Sequence, residues 1–502
     1  MTIGIRNTRT GWRPYAVGLA LLAAPWLHGC STNPATGESN LTFVGQDDER
    51  RLGAQNHPKI LAQFGGAYKD RDVQAYVRGI GQLLASSSEL PNQKWTFTVL
   101  DSDIINAFAV PGGYVYISRG LLALADDEAQ LASVLGHEIG HVTGRHYASR
   151  HGKAVSAQIG VAVLSVLAGV AGGGQAAQAV GQLGGSVAQG YLAGYGRDQE
   201  LESDSLGIRY MSRTGYDTAA SAEFLAKLES SKTLLARLKN ETPKGYSYLD
   251  THPPSQERVR KASAQIRRPP PAGAGRDRRL FLDKLDGMIY GDSPAQGYRR
   301  GRVFAHPGQG FRFEVPRDFV LLNFPDKVVG DGPDGSLIIF NEDSRGWNGD
   351  MRRYLTQQWA GKARLQGVDS FRINGSPAAT GWTRGRTNAG EVDVRFVAVR
   401  WGDGRIYRFQ FVAPPRVMQR LERDFQDTAH SLRPLGRREA GRYQPYRIKV
   451  YRTRRGDTFE SLGRDTPFER LAAEHLRVLN GYGPREQPHR GDVIKLVVEG
   501  RR

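Results

Sequence analysis

The stretch LASVLGHEIGHVTGRH, residues 131–146, sets His137 and His141 four positions apart with Glu138 beside the first. On a helix, positions i and i+4 lie on one face, so two imidazoles can meet one cation while Glu138 reaches a water next to it. Zinc in such a site takes three protein ligands and leaves its fourth position open. The flanks, LASVLG and IGHV, are apolar, so the helix is expected to be buried. Two bare imidazoles there need partners, which a solvated helix face would not supply. Upstream, DDEAQ (126–130) is acidic before the apolar periodicity begins, so Asp126 and Asp127 are candidate caps for this helix.

A third ligand is expected from a second element. GRDQELESDSLGIRYMSRTGYD, residues 196–217, puts Glu200 and Asp204 one helical turn apart. In order, NAFAVPGGYVYISRGLL (106–122), LASVLGHEIGHVTGRH, ELESDSLGIRYMSRTGYD (200–217) and THPPSQERV (251–259) resemble the HtpX/BepA/LoiP type of zinc metallopeptidase. CSTNPATGESNLTFVGQDDERRLG (30–53) resembles the start of its periplasmic lipoprotein members. The resemblance implies a mainly helical zincin-type domain with a small edge sheet and one Zn2+ per chain. It makes His137, His141 and Glu200 the metal ligands, Glu138 the general base, and Asp204 the group that orients a ligand imidazole. It also places His252 and Arg258 near the metal, His252 to cap the zinc at rest or stabilise the oxyanion, Arg258 to assist that oxyanion. Ser203 stands where an alanine is common. His146 and His151 have no such support and are read as structural or solvated; the helical offset of Glu202 points it to solvent.

The N-terminus reads as a leader. Arg6, Arg9 and Arg13 precede a short apolar run, Tyr15 to Leu27, which ends at Cys30, the only cysteine of the chain. LHGC resembles a bacterial lipoprotein box in which Cys30 is acylated, although His28 replaces the usual small residue. Ser31 is not the aspartate that retains lipoproteins at the inner membrane, so the resemblance points to the outer membrane. A disulfide has no second cysteine to use. Residues 153–195 are rich in Ala and Gly. Their apolar run breaks at Gly172 to Gly174, short of the roughly 20 residues of a membrane span, so two packed helices are expected.

At 502 residues the chain exceeds one core. Five parts are expected: a leader (1–29), the peptidase domain (30–266), a Pro/Arg-rich linker RRPPPAGAGRDRR (267–279), an α+β domain (280–435) and a C-terminal module (446–499). The α+β domain carries strand-like runs such as VDVRFVAVRWGDGRIYRFQFVAP (392–414) and faintly resembles the PsbP-like fold. In the last module RGDTFESL (455–462), LN (479–480) and GDVIKL (491–496) resemble a βααβ LysM module, which implies binding to N-acetylglucosamine-containing glycans such as peptidoglycan. The formal charge of +18 suits anionic partners, and no motif that reads DNA or RNA is present.

The whole is expected to be an α+β multidomain zinc metalloendopeptidase of the periplasm. Its substrates would be unfolded or edge-exposed envelope polypeptides, its anchor a lipid on Cys30 in the outer membrane, and its wall contact peptidoglycan. One alternative is a latent protease acting as a wall-bound scaffold. A second is cleavage of peptidoglycan cross-links, which the protein-cutting character of the motifs disfavours.

Overall fold

The computed structural model describes residues 30–150, 194–238, 248–266 and 274–500, apart from 38, 42–44, 254, 362, 388–389 and 403. The expected leader, most of the Ala/Gly-rich stretch, His151 and the proline run of the linker lie outside the described residues. Among the described residues no helix is long and apolar enough to cross a membrane.

The N-terminal part opens with a hairpin, β1 (Cys30–Thr32) and β2 (Ser39–Leu41), followed by α1 (Gln46–Gln63) and α2 (Arg71–Ser86). A small sheet follows, in the order β3 (Thr96–Leu100), β5 (Tyr114–Ser118), β4 (Ala107–Val110), which leaves β4 on an edge. The turn between β4 and β5 needs Gly112, at φ +87°, because a Cβ there would sit 2.9 Å from the Arg50 backbone. Ser118 caps the short α3 (Arg119–Leu124). Asp127 then caps α4 (Glu128–Thr143) by accepting from the Gln130 amide at 2.8 Å. Every residue of α4 except Val142 is buried, as expected of a helix in the centre of a domain.

Packed against α4 is α5 (Arg197–Arg213), then α6 (Ala219–Leu238) and α7 (Gln256–Ala264). Glycines set the α4–α5 distance. A Cβ on Gly207 would lie 2.9 Å from the His137 amide nitrogen, and one on Gly140 would lie 2.7 Å from Ser203 Oγ. The two backbones therefore touch, and Ser203 Oγ donates to the His137 carbonyl at 2.5 Å.

The expected α+β region holds an antiparallel seven-stranded sheet and a four-stranded one, with the amphipathic α9 (Pro415–His430) burying Met418, Leu421 and Phe425 against them. Its first helix, α8 (Arg278–Leu285), goes elsewhere. Phe281, Leu282 and Leu285 join the peptidase core, and so does Ile448 of β18 (Tyr446–Arg452). The last module continues through α10 (Phe459–Gly463) and α11 (Ala472–Asn480) to β19 (Val493–Glu499), which pairs with β18, giving the βααβ order.

A buried lysine fastens this module to the peptidase. Lys495 on β19, fully buried, donates to the carbonyls of Ala123 (2.8 Å) and Ala125 (2.5 Å), the last acceptors of α3. It also approaches Asp126 Oδ1 at 3.5 Å, which Lys227 of α6 reaches at 2.5 Å. Burial pushes the Asp126 carboxyl up, but the two ammonium groups outweigh it and hold the group charged. Replacing Asp126 with Asn removes the carboxylate that the buried Lys227 contacts and the buried Lys495 approaches. Asp126→Asn is expected to lower the unfolding free energy by about 3 kcal/mol, measured as a lower urea midpoint at neutral pH; an unchanged midpoint contradicts this.

Candidate metal centre

His137 and His141 project from one face of α4 towards Glu200 on α5. Glu200 lies 3.7 Å from His137 Nε2 and 3.5 Å from His141 Nε2. His252, beyond a short helical turn (Tyr248–Thr251), brings Nε2 to 4.0 Å from Glu200 and 3.7 Å from Glu138. Donor atoms of His137, His141, Glu200 and His252 all lie within 4.8 Å of one another, and all four residues are buried.

Each ligand histidine is oriented through its other ring nitrogen. His137 Nδ1 meets Asp204 Oδ1 at 2.9 Å, and Asp204 is clamped by Arg258 from α7, whose Nε and Nη2 each donate at 2.8 Å. Since the ionised Asp204 can only accept, His137 carries its proton on Nδ1 and leaves Nε2 bare. His141 Nδ1 meets His146 Nδ1 at 2.7 Å. His146, read from the sequence as structural or solvated, is buried beside a ligand.

The donor set fits a divalent cation. The Nε2 atoms of His137 and His141 face each other at 2.9 Å, an unfavourable pairing of lone pairs without a cation. Both carboxylate oxygens of Glu138 and Glu200, and Nε2 of His252, are buried without a well-formed hydrogen bond. Burial pushes the Glu138 carboxyl well up, and the charge of Glu200 pushes it further, while the Ala109 amide of β4 opposes. Burial raises Glu200 to about 8, with Arg258 only partly opposing through an ion pair at 2.8 Å. All three site imidazoles are pushed down by burial and stay neutral, the form that ligates metal. Two buried carboxyl groups, of which only Glu200 has a cationic partner, around three neutral imidazoles suit a positive ion.

The remaining expected residues are here too, with differences. Arg258 is beside the metal ligands, but its Nε and Nη2 are spent on Asp204, and Nη1 on Glu200 and the carbonyls of His252 and Pro253 (both 3.2 Å). It holds the scaffold in place and presents no spare Nη1 to an oxyanion. Glu202, expected to face solvent, is half-buried, with Oε1 accepting from Asn33 Nδ2 at 2.8 Å. The side chain of Cys30 lies outside the described residues. Sequence reasoning did not single out Tyr195, whose ring stacks on His141 at a centroid distance of 3.9 Å, nor Tyr248, stacked on His252 at 4.5 Å. Tyr195 stands five positions ahead of Glu200, and no spacing rule links it to His141.

Two imidazoles from one helix, a glutamate from the next and the Glu138 carboxyl beside them suit the centre of a zinc metallopeptidase. Residues 71–266 match the model of Peptidase family M48, and the buried His137, His141 and Glu200 cluster within that stretch fits a single zinc site. The chain is 30% identical over 254 residues to the beta-barrel assembly-enhancing protease of Escherichia coli K12, covering 49% of this chain and 50% of that protein. It is 25% identical over 245 residues to the mitochondrial metalloendopeptidase OMA1 of Schizosaccharomyces pombe, covering 47% and 67%. The chain thus spans about half the length of the first of these relatives. A solved PsbP from Synechocystis sp. PCC 6803 aligns at 12% identity and a TM-score of 0.20, over 30% of this chain and 93% of that one, too weak a likeness to assign the middle region.

The Asp204 clamp has a defined pH dependence. Burial raises its carboxyl, but Arg258 and His137 outweigh burial and depress it from 3.8 to about 2. A depressed acid stabilises the fold above its ordinary range and stops doing so as pH falls through its folded value. In metal-free protein Asp204→Asn is expected to cost about 3 kcal/mol at pH 7, with the gap to wild type closing as pH falls from 4 towards 2. Zinc binding should weaken by about 10–100-fold, measured by chelator competition.

Proposed function

We propose that the full chain is a periplasmic zinc metalloendopeptidase, lipid-anchored through Cys30 to the outer membrane, that hydrolyses misfolded or stalled envelope proteins. The observation that carries this reading is the buried convergence of His137, His141 and Glu200 beside the buried Glu138 carboxyl. Those three residues would hold the zinc, which when bound would supply Lewis-acid polarisation of a peptide carbonyl and acidification of a water. Glu138 is placed to act as the general base, and its raised affinity for protons would let it hold a proton taken from the attacking water and pass it to the leaving nitrogen. His252 Nε2, turned towards Glu138, is placed to donate to the developing oxyanion or to complete the donor set at rest. Asp204 and Arg258 position His137 and Glu200.

The edge strand β4, paired on one side only with β5 among the described residues and touching Glu138 through the Ala109 amide, suits an extended chain added as a strand. Main-chain pairing of that kind selects unfolded or edge-exposed polypeptide with little regard to side chains. The C-terminal βααβ module is proposed to hold the enzyme at peptidoglycan, and its strand–helix–helix–strand order supports that reading.

One observation favours a latent state. The cavity bordered by Ala109, Val110, Pro111, His141 and Tyr195 holds only about 20 Å³, too little for a substrate side chain. Tyr195 and His252 both cover the ligands in this arrangement. Wall or partner binding as the main output therefore stands as the second reading.

Zinc content and casein degradation, measured on the full chain, separate them. Wild type and Glu138→Gln should each hold one zinc, with degradation falling at least about a hundredfold in the variant. Zinc-loaded wild type that is as inert as Glu138→Gln favours the latent scaffold. Wild type that holds no zinc removes the metallopeptidase reading altogether.

A further inference from the structure

We propose that Asn33, Glu202 and His146 form a chain of contacts that positions the zinc ligand His141, making the hairpin next to Cys30 a working part of the metal site. The proposal rests on the zinc reading above and extends it to the N-terminal segment.

The two ligand histidines of α4 are served differently. His137 has a short, rigid support, Asp204 held by two nitrogens of Arg258. His141 has no carboxylate of its own, and its Nδ1 partner is a second imidazole, His146, at 2.7 Å. For Nε2 of His141 to offer a lone pair to zinc, Nδ1 must carry the proton, and His146 Nδ1 must accept it. His146 then bears its own proton on Nε2. That atom is buried and faces Glu202 Oε2 at 3.4 Å, a long contact. The other oxygen of Glu202 accepts from Asn33 Nδ2 at 2.8 Å. The Asn33 amide is fixed in that sense, because its Oδ1 already accepts from the amides of Ala35 (2.9 Å) and Thr36 (3.3 Å). Every proton in the chain points away from the metal until the carboxylate, which takes one from each side.

The backbone is shaped to make this chain possible. Gly144 ends α4, and a Cβ there would lie 2.5 Å from His146 Nε2. Arg145 follows at φ +53°, in the left-handed region that turns His146 back onto the helix it has just left. Asn33, 2% exposed, stands three residues after Cys30 at the turn of the β1–β2 hairpin. A pull on the N-terminal segment therefore reaches His141 through three side chains.

Zinc release to a chelator, followed on the full chain, tests this without recourse to activity. Asn33→Ala is expected to release zinc about tenfold faster than wild type, with unchanged far-ultraviolet circular dichroism. In His146→Asn the shorter amide can keep an acceptor near His141 but cuts the link to Glu202. In that background Asn33→Ala should add nothing, since the two changes break one chain. Asn33 acting only on general stability would give the same acceleration in both backgrounds, and that result overturns the proposal; so does a wild-type release rate in Asn33→Ala. Should Asn33→Ala fail to fold, the same cycle with Glu202→Gln decides it. A wild-type chain without zinc would instead refute the metallopeptidase reading on which the proposal stands.

Discussion

Backbone contact between α4 and α5 is the constraint on which the site depends. Gly136, Gly140 and Gly207 remove the side chains that would hold the helices apart, and Ser203 locks the gap by donating to the His137 carbonyl. Interhelical distances of 8–10 Å are usual with ordinary side chains. Only a closer approach lets Glu200 come within 4 Å of both imidazoles while Asp204 sits behind the first. The same closeness creates the electrostatic problem that a cation solves. Two carboxylates and three neutral imidazoles are sealed together, with Arg258 as the main positive group, and most of its donors hold Asp204.

Much of this was legible in the sequence because helical geometry translates spacing into direction. Four-residue intervals at His137/His141 and Glu200/Asp204 gave faces, and apolar flanks gave burial. The acidic run before α4 resolved into an Asp127 cap, while Asp126 turned instead to the lysines. Other features follow no repeat. His146 reaches His141 only because Gly144 and a left-handed Arg145 reverse the chain, and an offset of five residues on an uninterrupted helix would have pointed it elsewhere. Tyr195 and Asn33 meet the site through tertiary packing, which no local pattern encodes. Glu202 departs from its solvent-facing expectation for a related reason: its offset from Glu200 gives its direction on an isolated helix, whereas Asn33 of the hairpin comes to cover that side.

Texture also proved a poor guide to which core a segment joins. The proline-rich run marks a change from helices to strands, but α8 lies beyond it and still packs with the peptidase core. Amphipathic helices of a few turns can serve either neighbour, and periodicity says which face is buried without saying against what. The C-terminal module is similar. Its strand and helix order was readable, whereas an apolar strand gave no sign that Lys495, set among Ile494 and Leu496, points inward to another domain.

That lysine sets an order of events during synthesis. Lys495 and the Ala125 carbonyl it satisfies are 370 positions apart, and they flank the start of the helix that carries the zinc ligands. A chain emerging N-terminus first exposes α4 long before its partner strand exists. At about 5–20 residues per second the wait is on the order of 20 to 70 s. During that interval the α3–α4 junction lacks the Lys495 donor, and Asp126 has Lys227 and Arg278 beside it but not yet Lys495. The α3–α4 junction is thereby completed only when the last strand arrives, and a product that stops short of Lys495 leaves those carbonyls without this donor.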